Sequence, residues 1–182
     1  MKLRYNSPVI LTFSLAAILV YSVTKVVPAA QVFFVLAPDF SFVSPLCWLT
    51  LFSYALGHAG AAHLAGNLSF ILLVGPLVEE KYGSGRTLAM MALTALVTAI
   101  LHLLLFPQGL LGASGIVLML IILSSWTNFR AGEIPLTFVL VAALFLGREV
   151  LDAFRPDQIS QFAHIIGGTI GGLFGLLIGR RK

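Results

Sequence analysis

The chain has 182 residues, of which 59% are hydrophobic and 10% charged, with a mean hydropathy of +1.01, where a soluble globular domain carries about 25% charged residues. These values exclude a soluble enzyme, a disordered tail and, with Cys47 as the single cysteine, a disulfide-stapled secreted module; they define an integral membrane protein. The net charge of +4 does not point to nucleic acid, because the eleven Lys and Arg are scattered between apolar runs and read as topology signals.

A bilayer core needs roughly 20 apolar residues per helix. In chain order the qualifying or nearly qualifying runs are Pro8 to Thr24, Ala62 to Val78, Thr87 to Phe106, Ala113 to Phe129, Ile134 to Gly147 and Phe162 to Ile178. The fifth extends to about 151, because Arg148 can snorkel to the headgroups. The expectation is an all-α polytopic protein with six transmembrane helices (8–24, 62–78, 87–106, 113–129, 134–151 and 162–178) in a single domain covering 1–182. More than half of the chain then lies in lipid, and no soluble domain fits outside it. The longest connection, Lys25 to Ala61, is interrupted by Pro28, Pro38, Asp39 and Pro45 and crowded with aromatic residues, which suits a structured loop at headgroup level. A seventh span starting near Pro45 is the competing reading.

Sidedness follows from the positive charges. Lys2, Arg4, Lys81, Arg86, Arg130, Arg180, Arg181 and Lys182 fall on one side, against Lys25, Arg148 and Arg155 on the other, so both termini are expected to be cytoplasmic. The first span also has features of a signal peptide: Lys2 and Arg4 precede it, and Val27-Pro28-Ala29 loosely resembles a cleavage site. Its length, above the usual h-region of about 7 to 15 residues, favours a retained helix.

Polar residues inside spans are costly and so suggest function. His63, Asn67, Ser114 and His164 stand in or near the first turns of spans two, four and six, which all run inward from the outer face on this topology. Ser114 lies in Gly112-Ala113-Ser114-Gly115 after an uncharged loop containing Pro107 and Gly109. A helix N-terminus there offers free N–H groups and partial positive charge to an oxyanion formed when a serine attacks a carbonyl. The competing reading is tight packing through small residues. His164 supplies the base that a serine nucleophile needs, and Gly167 and Gly171, three and seven residues on, share roughly its helix face and permit close approach of another helix. No carboxylate has a comparable position, so a dyad is favoured over a triad. His63 and Asn67, four apart, share a face and suit two donors aimed at one developing negative charge. A metal site built from His58, His63, His102 and His164 is the rival; it lacks a His-Glu-x-x-His motif and acidic or thiolate ligands.

Taken together, His58, His63 and Asn67 in the pattern H-x4-H-x3-N, then Gly112-x-Ser114-Gly115, then Ala163-His164-x-x-Gly167-x-x-x-Gly171 resemble the ordered signature of rhomboid intramembrane serine proteases. Val78-Glu79-Glu80-Lys81-Tyr82-Gly83-Ser84-Gly85 also resembles the family's turn after the second span, and the likeness covers roughly His58 to Gly175. It implies a rhomboid-like bundle with Ser114 as nucleophile and His164 as general base and acid. It further implies an oxyanion site of His63, Asn67 and the Ser114 backbone N–H, with His58, Gly112, Gly115, Gly167 and Gly171 in support. Two features depart from the pattern: the first loop has no Trp-Arg pair, and Leu118 stands where many members carry an aromatic four residues after the serine.

The implied reaction is hydrolysis of peptide bonds in or near the transmembrane segments of membrane proteins. It needs no cofactor and no metal. The implied partners are transmembrane protein substrates and the lipid bilayer, and the implied lateral gate is the fifth span and the loop after it, here containing Arg148, Glu149, Asp152, Arg155, Pro156 and Asp157. Short connections suggest a bacterial inner membrane. The alternative function is a non-proteolytic rhomboid-like protein that binds membrane helices. A small transporter would carry ionisable groups near the bilayer midplane, and the span centres here are clean.

Overall fold

The computed structural model describes residues 5–126 and 161–179, with six further helical residues between them (Leu136, Val139, Leu140, Ala143, Leu144 and Gly147). For 126, 161–164, 176 and 178 it describes the backbone alone. Most of the expected fifth span and the charged connection after it, with Arg148, Glu149, Asp152, Arg155, Pro156 and Asp157, lie outside the described residues.

The described chain is all-helical: α1 Pro8–Val26, α2 Pro45–Ser53, α3 Ala61–Tyr82, α4 Ser84–Leu105, α5 Ser114–Trp126 and α6 Gln161–Gly179, with 3-10 turns at Pro28–Phe33 and Tyr54–Leu56. Three of these, α1, α3 and α4, are long and apolar enough to cross a membrane. The nine residues of α2 reach only about 14 Å at 1.5 Å per residue, about half of a hydrocarbon core. The helix near Pro45 is therefore part of the connection between α1 and α3 and not a seventh span. Its aromatic side chains form a cluster in which Phe40, Phe42 and Trp48 meet edge to face with centroids 5.3 to 6.1 Å apart. Phe42 is 79% exposed, as suits a ring destined for the headgroup layer.

In place of a Trp-Arg pair this connection is tied down by a serine hydroxyl and by backbone groups. The Ser53 hydroxyl donates to the Phe33 carbonyl at 2.6 Å, and Leu36 exchanges two backbone hydrogen bonds with Leu110 (2.9 and 3.0 Å), the single β-type bridge among the described residues. Gly57 is required by close approach, since a Cβ there would collide with the Phe34 carbonyl.

The start of α1 is capped from another helix. Ser7 has φ 49° and makes no side-chain cap; instead the Glu79 carboxylate near the end of α3 accepts the N–H groups of Val9 and Ile10, both at 3.0 Å, and the Ser84 hydroxyl at 2.7 Å. Two of the four N–H groups that a helix start leaves free are thereby satisfied, by a negative charge lying at the positive end of the helix dipole. Gly75 admits the Ile10 side chain, whose Cδ1 would lie 2.6 Å from an added Cβ, and so draws α1 onto α3. Gly83, at φ +81°, turns the chain from α3 into α4 in a conformation that glycine adopts without strain.

At the centre stands α5. Every side chain from Ser114 to Ile121, with Leu123, is buried, and the helix packs on α3, α4 and α6. A helix apolar on all sides needs such a surrounded position.

Candidate active site

Ser114 is the first residue of α5 and is 4% exposed. The helix ladder begins with Val117 N–H donating to the Ala113 carbonyl at 2.9 Å, so the N–H groups before it have no intrahelical acceptor. Gly112, two residues earlier, has φ +123°, where only glycine sits without strain. It also lies under the His63 ring: a Cβ at Gly112 would be 2.8 Å from His63 Cε1, 3.0 Å from Nε2 and 4.0 Å from Asn67 Nδ2. Its N–H donates to the Tyr54 carbonyl at 3.0 Å, and the Tyr54 hydroxyl donates to Ala95 on α4 at 3.1 Å.

His63 occupies the first turn of α3, and Asn67 stands one turn further on, 2% exposed. The Asn67 amide Nδ2 donates to His58 Nε2 at 3.1 Å. On the other side of that ring, His58 Nδ1–H donates to the Leu56 carbonyl at 3.1 Å. A carbonyl can only accept and an amide NH2 can only donate, so the two bonds assign the neutral tautomer with its proton on Nδ1. His58 also meets His63 edge on, with centroids 5.0 Å apart. Burial, and secondarily the neighbouring His63, push the His58 pKa down to about 4, partly opposed by the Leu56 carbonyl. The ring therefore stays an acceptor at neutral pH and orients Asn67, whose second amide hydrogen meets no acceptor among the described residues.

The opposite flank of α5 meets α6 backbone to backbone. A Cβ at Gly167 would strike the Gly115 carbonyl and lie 2.7 Å from its Cα, and one at Gly171 would lie 2.9 Å from the Cα and O of Met119. Between them, Gly168 faces Leu118, whose Cδ2 would stand 2.9 Å from an added Cβ. His164 lies in the first turn of α6, three residues before Gly167; its side chain is outside the described part.

Of the residues that the sequence singles out, His58, His63, Asn67 and Gly112 thus form one contiguous group, with Ser114 two residues beyond it, and Gly115, Gly167 and Gly171 line the α5–α6 contact. Sequence reasoning missed the Glu79 cap, the Tyr54 carbonyl that holds Gly112, and the role of His102, whose Nε2–H donates to the Gln108 carbonyl at 2.9 Å. The Glu79 and His102 bonds join a side chain to a backbone group and the Tyr54–Gly112 bond joins two backbone groups, and no spacing pattern encodes them.

The class that these features define is an all-helical membrane protein with a buried serine opening a central helix beside a histidine–asparagine pair. The Rhomboid domain model matches residues 45–181, and the chain belongs to the rhomboid family. It is 32% identical over 133 residues to rhomboid protease GluP of Bacillus subtilis (strain 168), covering 70% of this chain and 25% of that protein. It is 30% identical over 129 residues to RHOMBOID-like protein 4 of Arabidopsis thaliana, covering 66% of this chain and 32% of that protein. The chain spans about a quarter to a third of the length of these curated relatives.

Proposed function

We propose that this protein is an intramembrane serine protease in which Ser114 and His164 form a catalytic dyad. The observation that carries the reading is the double contact of α5 at its first turn. On one side Gly112 lies against His63 and Asn67, and on the other Gly115 lies against Gly167. His164, one turn before Gly167 on the same helix face, then belongs at the level of Ser114.

In this reading the Ser114 hydroxyl attacks the scissile carbonyl as His164 takes its proton, and His164 returns that proton to the leaving amine. A water attacks the acyl-enzyme with His164 again as base. The oxyanion is stabilised by the N–H groups at the α5 N-terminus, the free Asn67 amide hydrogen and His63, in a site whose low dielectric strengthens each donor. Water must reach the serine, which requires a protein-lined cavity open to the outer aqueous side, and the irregular backbone before Ser114 is tolerated at membrane depth only in such a setting. Substrates are transmembrane segments that unwind cheaply near that boundary, through Gly, Pro or polar residues. The family resemblance adds small side chains at the cut and lateral entry past the fifth span; the apolar runs support a six-span single domain over 1–182, the distribution of Lys and Arg supports cytoplasmic termini, and the short connections support a bacterial inner membrane.

The test is labelling of detergent-solubilised protein with a fluorophosphonate probe, alongside cleavage of a model membrane substrate, for wild type, Ser114→Ala and His164→Ala. Labelling that requires both residues is the expected result. A folded wild type that neither labels nor cleaves overturns the dyad and leaves binding of membrane helices without proteolysis.

A further inference from the structure

The segment between α4 and α5 is an extended strap over 106–113 that delivers Ser114, and it is pinned at every second residue. The Phe106 N–H donates to the His102 carbonyl at 2.9 Å. The Gln108 carbonyl accepts from His102 Nε2 at 2.9 Å. Leu110 pairs with Leu36 through two backbone bonds, and the Gly112 N–H donates to Tyr54. Three of these four anchors are purely backbone; the Gln108 anchor alone is a side chain. That side chain is 2% exposed and stacks on the Phe106 ring at 5.3 Å between centroids and 25° between planes, so it holds the strap at two places. Its Nδ1 is buried without a hydrogen-bond partner among the described residues, so the bond to Gln108 is the hydrogen bond that fixes the ring there.

We propose that His102 is a positioning residue for the Ser114 nucleophile: by fixing Phe106 and Gln108 it sets the path of the strap that carries Gly112 under His63 and starts α5. The reasoning is geometric. Gly112 is held between the His63 ring and the Tyr54 carbonyl with no room for a methyl group, so a displacement of the strap upstream is transmitted to Ser114 two residues later. Misplacement by about 1 Å can cost roughly 100-fold in rate. The role of His102 in catalysis rests on the protease reading above, whereas its role in holding the strap does not.

The experiment compares His102→Leu, which removes the donor to the Gln108 carbonyl and puts an apolar side chain in its place, and His102→Gln, whose amide Nε2 reaches the position of the imidazole Nε2–H. Both are made in the full chain in detergent. Amide hydrogen exchange is read over 106–112 together with kcat and KM on a model membrane substrate. For His102→Leu, exchange at Leu110 and Gly112 is expected to rise about tenfold, the equivalent of one lost hydrogen bond. In the same variant kcat is expected to fall about 10- to 100-fold with KM within about twofold, and His102→Gln is expected to restore both. Unchanged exchange in His102→Leu overturns the latch. Raised exchange with unchanged kcat overturns the positioning role, and so does a His102→Gln variant as impaired as His102→Leu. If His102→Leu does not fold, Phe106→Ala takes its place, and unchanged exchange over 106–112 in that variant overturns the latch equally. A wild type that neither labels nor cleaves defeats the protease reading, and the exchange comparison still decides whether His102 holds the strap.

Discussion

Two helix N-termini in this molecule are treated in opposite ways. At α1 the N–H groups of Val9 and Ile10, which have no intrahelical acceptor, are closed by the Glu79 carboxylate, itself buried at 4% exposure. At α5 the chain enters through Gly112 and Ser114, with histidine and asparagine side chains beside it and no carboxylate among the described neighbours that the hydrogen bonds and glycine contacts identify. The positive end of a helix in an apolar surrounding attracts negative charge. Where the charge is permanent, the end is a structural joint between α1 and α3. Where it is withheld, the end remains available to a charge that exists only during a reaction, and interactions made only then lower a barrier without tightening ground-state binding.

The sharpest break of this contrast is at the serine. Ser114→Ala should reduce probe labelling and substrate cleavage to background while leaving the thermal midpoint in detergent close to wild type, since the change removes one hydroxyl. Next in size is Asn67→Ala. Loss of one oxyanion donor lowers kcat by about 10²- to 10³-fold, and steady-state kinetics should show this with KM little changed. A variant that loses affinity and keeps kcat would assign Asn67 to substrate binding.

A pH effect follows from the support behind Asn67. Unfolded His58 titrates near 6.5, whereas folded His58 has its pKa pushed down to about 4. Between those values the unfolded state holds a proton that the folded state does not, so stability rises with pH there. The contribution is present in full above pH 6.5 and is lost as pH falls towards 4, with a ceiling of about 3 kcal/mol at 1.36 kcal/mol per unit. Denaturation midpoints of wild type and His58→Gln, measured from pH 7 to pH 4, should diverge at the upper end and converge at the lower. Parallel curves would show that His58 is not held neutral by the fold.

These residues also show where sequence reasoning reaches and where it stops. Three spans were legible because uncharged runs of membrane length have few other uses: α1, α3 and α4 lie within a few residues of the expected limits. Three charges after Val78 put the expected end of the span there; the helix continues to Tyr82 because Glu79 turns inward to α1 and not to water. Arg86 puts the expected start of the next span at Thr87; the helix begins at Ser84 with Arg86 exposed on its surface. In the site, the four-residue spacing of His63 and Asn67 reports a shared helix face, and the glycines of α6 report close packing. The Leu36–Leu110 and Tyr54–Gly112 bonds join positions more than fifty residues apart through backbone groups that every residue possesses, so nothing in the side-chain sequence marks them.

The smallest expected effect is at the closed helix end, and it separates the two termini most cleanly. In Glu79→Gln one oxygen becomes an NH2 group facing a backbone N–H, so either Val9 or Ile10 loses its acceptor and α1 loses the charge at its positive end. An unsatisfied buried donor costs about 1–3 kcal/mol, and the lost charge–dipole attraction adds up to about 1 kcal/mol; the carboxamide oxygen still serves the remaining N–H, which places the change near 2 kcal/mol. Thermal denaturation in detergent should show a lowered midpoint, and kinetics normalised to folded protein should show an unchanged kcat, because the Glu79 joint touches neither α5 nor the strap before it. A fall in kcat at constant folded fraction would mean that the α1–α3 joint and the α5 N-terminus are mechanically coupled, and the division between a structural and a chemical helix end would no longer hold.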